Sequence, residues 1–159
     1  MANSIPPDLD KIEAKEANYL FVATSQLMNA GMGLFSTIEI YKDEIIATFK
    51  GEILTNEQAL KRADLGLDAY FISMLDGSIM DSRTTACFAK YANDSNGVSQ
   101  ALFKNNAKIM IDDDHSICLV ATKKIKEGAE IFCDYGIKYW KNQQRQLADK
   151  LNNKFTEPF

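Results

Sequence analysis

Apolar residues come in short bursts divided by glycines, acidic pairs and small polar clusters, which is the pattern of many brief strands rather than long helices. The run 19–24 is apolar and β-prone and predicts a strand. The stretch 26–33, rich in small residues and glycine, reads as a loop. Residues 34–40 and 45–49 read as strands about a turn at 41–44, and Gly51 ends the second. One segment has helical character. Thr55 or Asn56 can cap it, Glu57 suits its first turn, Leu60, Ala63 and Leu67 share a side, and Gly66 ends it. Further on, 69–75 alternates as a strand would, Asp76-Gly77 signals a hairpin, and 78–81 returns. Residues 85–91 fit a helical turn and 93–106 a polar loop. Strands at 108–111 and 117–122 flank Asp112-Asp113-Asp114-His115-Ser116. A short strand at 130–133 follows the turn at Glu127-Gly128, and 140–153 reads as a surface helix. The expected class is α+β and β-rich, with a polar arm (1–18), a main domain (19–140) and a C-terminal helix or tail (141–159).

Composition narrows the options. The 159 residues are 46% hydrophobic and 25% charged, an ordinary globular mixture able to bury a core. A net charge of -4 argues against direct nucleic-acid binding, which wants a basic face. No apolar run is long enough to span a bilayer, and Met1 to Asp10 lacks the parts of a signal peptide, so an intracellular chain is expected. Cys87, Cys118 and Cys133 are scattered among apolar neighbours and read as buried thiols; no metal site is expected. His115 and the Asp112–Asp114 triplet read as a solvated turn, because the spacing fits no EF-hand and no triad surrounds the chain's one histidine.

Four segments in fixed order carry a more specific message. They are Gly31-Met32-Gly33-Leu34-Phe35; the strand end running to Gly51-Glu52; Ala89-Lys90-Tyr91-Ala92-Asn93-Asp94-Ser95; and the run from Ala121 through Glu127-Gly128-Ala129-Glu130 into Asp134-Tyr135-Gly136. Together they resemble the SET domain family of S-adenosyl-L-methionine-dependent protein-lysine methyltransferases. The ending Tyr135-Gly136-Ile137-Lys138-Tyr139-Trp140 is similar to that of compact viral and microbial members without a zinc-binding post-SET segment. The resemblance implies several small sheets with a threaded C-terminal segment. It implies Tyr135 as the catalytic tyrosine and Tyr70 as a second tyrosine beside the lysine channel. It places Met32, Gly33, Lys90, Tyr91, Asn93, Asp94, Tyr139 and Trp140 around the cofactor. The implied partner is a protein with a target lysine, a histone tail or another basic protein; the compact members also allow a homodimer. The alternative is a SET-fold binding module with weak or no catalysis.

Four features depart from the family pattern. Asp94 stands where His is usual, and Lys90 where Arg is usual. The Cys-x-Pro-Asn that normally follows is replaced by an insertion at 96–104, with Asn105 or Asn106 available to recover the asparagine. Cys133, two residues before Tyr135, is smaller than the usual Phe or Tyr, which suggests room for di- or trimethylation.

Overall fold

The structure is a computed structural model, and it describes residues 9–74, 76–97 and 102–134. Among the described residues, eleven short strands form three small sheets, with few helices. The largest sheet has the order β1-β4-β9-β8-β11 and is made of β1 (Asp10–Lys11), β4 (Glu44–Thr48), β9 (Ile117–Ala121), β8 (Ala107–Ile111) and β11 (Cys133–Asp134). Its outer pairs, β1 with β4 and β11 with β8, are parallel, and the inner pairs are antiparallel. The second sheet is β10 (Glu130–Ile131), β3 (Met32–Ser36) and β2 (Leu20–Thr24). The third is β5 (Glu52–Leu54), β7 (Ile79–Asp81) and β6 (Phe71–Ser73).

β9 explains why the large sheet holds together. All five of its residues are buried, as expected of a strand covered on both faces. Ile117, Leu119 and Ala121 face the main core with Leu34, Ile40, Ile46, Ile125 and Ile131. Cys118 and Val120 face a smaller cluster with Ile45, Leu9 and Met110. Residues 9–19 are tied to the domain. Asp10 and Lys11 pair with Glu44 and Ile45. Tyr19 ends a short helix, α1 (Glu16–Tyr19), and its hydroxyl donates to the Ile46 carbonyl at 2.7 Å inside the core. Leu9 and Ile12 pack against the clusters, so alternation too short to register in the sequence still anchors this segment.

The helix at α2 (Asn56–Asp64) forms where its caps predict. Thr55 Oγ1 accepts from the Gln58 amide at 3.2 Å, and Gln58 Oε1 accepts from the Thr55 amide at 2.9 Å, a reciprocal capping box. Its expected apolar side does not enter a core: no α2 residue is buried, and Leu60 is 67% exposed. An ion pair docks it instead. Arg62 reaches Asp81 at 2.8 Å and Glu52 at 2.9 Å. Asp81 is only 1% exposed, and its other oxygen accepts from the Arg83 amide, so its charge needs that partner.

Other boundaries shift for local reasons. Met32 and Gly33 belong to β3, opposite Thr24 and Ala23, rather than to the preceding loop. Hydrogen bonds between Ser36 and Ile38 turn the chain and end β3 at Ser36, well short of residue 40. Strand β6 covers only residues 71–73, so Tyr70 lies in the turn before it and does not alternate with Ile72. The expected strand at 130–133 divides into β10 and β11 at Phe132, where the chain leaves one sheet for another. The expected helix at 140–153 lies outside the described residues.

Burial, with Glu16 and Glu44 nearby, pushes the Tyr19 phenol up to about 12. An unfolded chain loses this proton near the ordinary value of about 10. The stability contributed by the neutral phenol is therefore complete below that value and is lost as pH rises toward about 12. Tyr19→Phe is expected to cost about 1 kcal/mol at neutral pH and to flatten the alkaline decline. Urea titrations at neutral and alkaline pH measure both, and an unchanged alkaline slope rules the phenol out.

Candidate functional site

The site grows around residues 130–134, because this segment, buried from Glu130 to Cys133, must satisfy its backbone in several directions. Glu130 and Ile131 pair with Phe35 and Leu34 of β3. Phe132 then bridges to Asn93, and Cys133 and Asp134 pair with Ala107 and Lys108 of β8. The Cys133 amide donates to the Asn93 carbonyl at 2.7 Å, and the amides of Asn106 and Ala107 donate to the Phe132 carbonyl at 3.0 Å. Where the ladder changes partner, the Asn106 side chain fills the gap. It accepts from the Phe132 amide at 2.8 Å and donates to the Glu130 carbonyl at 3.0 Å.

Asn93 joins this segment to the glycine loop. Its Nδ2 donates to the Met32 carbonyl at 2.9 Å while its own carbonyl is held by Cys133. Asn93 is thus brought against Met32 and its neighbour Gly33, with the Met32 carbonyl accepting from Asn93. Gly31 has φ 72°, a conformation that favours glycine, and a side chain built there would meet nothing within 4 Å. Gly33 is the opposite case, for a Cβ there would collide with the Glu130 carboxylate.

Asp94 is buried within a hydrogen-bond network. Its Oδ1 accepts from the Asn96 amide at 2.9 Å and from Asn105 Nδ2 at 2.8 Å. Asn105 Oδ1 accepts in turn from the amide and hydroxyl of Ser95. Both asparagines are therefore used, Asn105 to tie down the turn at 94–96 and Asn106 to hold the segment at 130–132. Asn106 is one of the two asparagines that motif reading offered, whereas Glu130 is a site residue to which it gave no role. The available signal was a lone carboxylate at the head of an apolar strand.

Lys90 and Tyr91 form a second corner with Tyr70. The Lys90 ammonium donates to the carbonyls of Ser82, Arg83 and Thr85 at 3.1, 3.3 and 3.1 Å. It lies 5.6 Å from the Tyr70 ring centre and 5.2 Å from that of Tyr91, within cation–π range. The Ser82 amide donates to the Tyr70 carbonyl, which fixes the same corner from behind. These contacts give Lys90 a full set of protein partners at the tyrosine corner, whereas Asn93 meets the glycine loop. Cys133 is fully buried; desolvation, then the charges of Asp94 and Asp134, push its thiol well above the ordinary range, so it stays neutral. Tyr135, Tyr139 and Trp140 lie outside the described residues, with Tyr135 following Asp134 directly. Among the described residues no cluster of His, Cys, Asp and Glu could hold a metal ion, and no helix is long and apolar enough to cross a membrane.

A glycine loop, an asparagine segment and a buried strand leading to Asp-Tyr-Gly, laid side by side in this order, define a SET domain. The chain belongs to the SET domain family, whose model matches residues 31–136. It is distantly similar to histone-lysine N-methyltransferases of Arabidopsis thaliana. It is 27% identical to EZA1 over 110 residues, covering 67% of this chain and 12% of that protein. It is 28% identical to MEDEA over 134 residues, covering 79% and 19%. Among solved structures it resembles a chain of ctPRC2 in an autoinhibited conformation bound to S-adenosylmethionine. There the TM-score is 0.61 at 24% identity, over 80% of this chain and 17% of that one, a likeness of fold. The chain thus spans less than a fifth of the length of each of these proteins.

Gly33→Ala is expected to destabilise the fold by about 1–3 kcal/mol, the usual range for overpacking, because the new methyl displaces the Glu130 carboxylate. Gly31→Ala meets no such obstacle and should suffer only from its positive φ. Urea denaturation of the two variants checks the order, and a Gly33→Ala protein as stable as wild type would contradict the close approach.

Proposed function

We propose that this SET domain is an S-adenosyl-L-methionine-dependent protein-lysine N-methyltransferase acting on a histone tail or another basic protein. The observation that carries the reading is the Asn93 junction. One asparagine ties Met32, in the glycine loop, to Cys133, two residues before Tyr135. The family match spans these elements, and relatives named as histone-lysine N-methyltransferases are 27% and 28% identical to parts of the chain.

The residues present fit the cofactor. Gly31 leaves open space beside a left-handed backbone, and Asn93 holds the adjoining Met32 carbonyl in place. When bound, S-adenosylmethionine supplies an electrophilic methyl on a sulfonium. The chain's own contribution is to bring a neutral amine into line with that methyl. A free lysine has a pKa of about 10.4, so presenting its lone pair at neutral pH costs roughly 5 kcal/mol. A dry channel lowers that cost by disfavouring the ammonium. Tyr70, half-buried and fixed by Lys90 and Ser82, is suited to line such a channel. In this reading the Tyr135 hydroxyl orients the amine, and Tyr139 and Trp140 add flat surfaces for adenine or for the channel.

The alternative, a SET-fold binding module without turnover, takes its motive from Asp94. Calorimetry with S-adenosylmethionine separates the two, since absence of binding at millimolar cofactor favours the module. For the enzyme, mass spectrometry of core histones and other basic proteins incubated with chain and cofactor is expected to show added methyl groups. Tyr135→Phe should reduce transfer at least about 100-fold, within the range for a general catalytic side chain, while cofactor affinity stays nearly constant; an unchanged rate removes Tyr135 from the mechanism. The small, neutral Cys133 leads to a separate expectation, di- or trimethylated product. Monomethyl product alone at saturating enzyme contradicts it.

A further inference from the structure

Glu130 is a carboxylate in an unusual place. It opens β10 with only 2% of its surface exposed, and among the described residues no lysine or arginine pairs with it. Its partners all belong to the segment leading into β3. Oε1 accepts from the Ser25 hydroxyl at 2.6 Å, and Oε2 accepts from the Gln26 amide at 2.8 Å. Ser25 passes the constraint on, for its Oγ accepts from the Leu27 amide at 3.1 Å and its own amide donates to the Gly31 carbonyl at 2.8 Å. Across the loop Gly33 has no side chain where the carboxylate sits. The loop is therefore clamped at both ends, by Glu130 at Ser25 and Gln26 and by Asn93 at Met32.

A buried carboxylate without a cation is costly unless its hydrogen bonds compensate. All the compensation here comes from one loop, so Glu130 ties the stability of β10 to the loop's shape. We propose that Glu130 is the positioning residue of the cofactor loop: acting through Ser25 and Gln26, it sets the backbone of residues 25–33 in the form that receives S-adenosylmethionine. The inference rests on the methyltransferase reading and adds to it the group that shapes the cofactor end of the site.

Two roles for this carboxylate make opposite predictions. If it acts by position, the length of the side chain matters most. Glu130→Asp withdraws both oxygens by one methylene and breaks both bonds. Glu130→Gln keeps the reach, keeps an acceptor for the Gln26 amide, and can donate to Ser25 Oγ. If it acts by its charge on a cationic cofactor, Glu130→Asp is the milder change and Glu130→Gln the harmful one.

Calorimetric titration of the full chain with S-adenosylmethionine reads the difference. Glu130→Asp is expected to raise the cofactor Kd about 10-fold or more, and Glu130→Gln less than about 3-fold, as loss of two or fewer hydrogen bonds implies. Ser25→Ala leaves no carboxylate altered and serves if Glu130→Asp fails to fold; it should raise Kd about 3- to 10-fold. In both Ser25→Ala and Glu130→Asp, KM for the methyl acceptor should stay at the wild-type value, and amide exchange at Gln26 and Leu27 should quicken without cofactor. A merely structural role would lower the melting temperature and leave the cofactor Kd unchanged. A folded Ser25→Ala chain that binds cofactor as wild type does, or a Glu130→Gln chain that is the weakest binder, overturns the proposal alone. Wild type that fails to bind the cofactor overturns the methyltransferase reading as well.

Discussion

The backbone of residues 130–134 is the constraint on which the site depends. The segment is buried from Glu130 to Cys133, so every amide and carbonyl in it needs a partner. A single strand would meet that need with one ladder, but here the partner changes at Phe132, from β3 to β8. A change of partner leaves groups that neither ladder reaches. Asn106 supplies the missing donor and acceptor from one side chain, and the Asn93 carbonyl takes the Cys133 amide. Three regions, near residues 33, 93 and 106, are thereby held around five residues. Any one of them could form locally, but the site exists only when all three have closed on the segment. That makes its assembly cooperative and dominated by long-range contacts.

This distribution of bonds explains what could be read in the sequence. The fold class and most strands were legible, because alternation and apolar runs report which face is buried. The capping box of α2 was half legible: Thr55 was available as a cap, and the role of Gln58 followed once the helix was placed. The family motif found Met32, Gly33 and Asn93, which the structure brings together, and Lys90, Tyr91 and Tyr70, which it gathers at a separate corner. The attachment of residues 9–19 to the domain was not legible, because two paired residues and one buried tyrosine leave almost no periodic signal. The burial of Glu130 was invisible for another reason. A glutamate at the start of a strand ordinarily points to water, and only the missing Cβ of Gly33, nearly a hundred residues earlier, makes room for it inside.

The departures from the family pattern form a consistent set once their partners are known. Lys90 serves three carbonyls that diverge around one nitrogen, a geometry that suits a rotatable ammonium better than a planar guanidinium fork. Asp94 offers only acceptors where a histidine could also donate, and the groups bonded to its Oδ1 are both donors, the Asn96 amide and the Asn105 amide group. Asn105 can turn its nitrogen to Asp94 because its oxygen is satisfied by Ser95. Asp94 and Asn105 thus act as one unit, in which a carboxylate and an amide brace the turn beside Asn93. Asn93 keeps its bonds to Met32 and Cys133 in this arrangement. The loss of the histidine therefore does not by itself argue for a domain that has given up its site, since the junction that histidine would have flanked is still made.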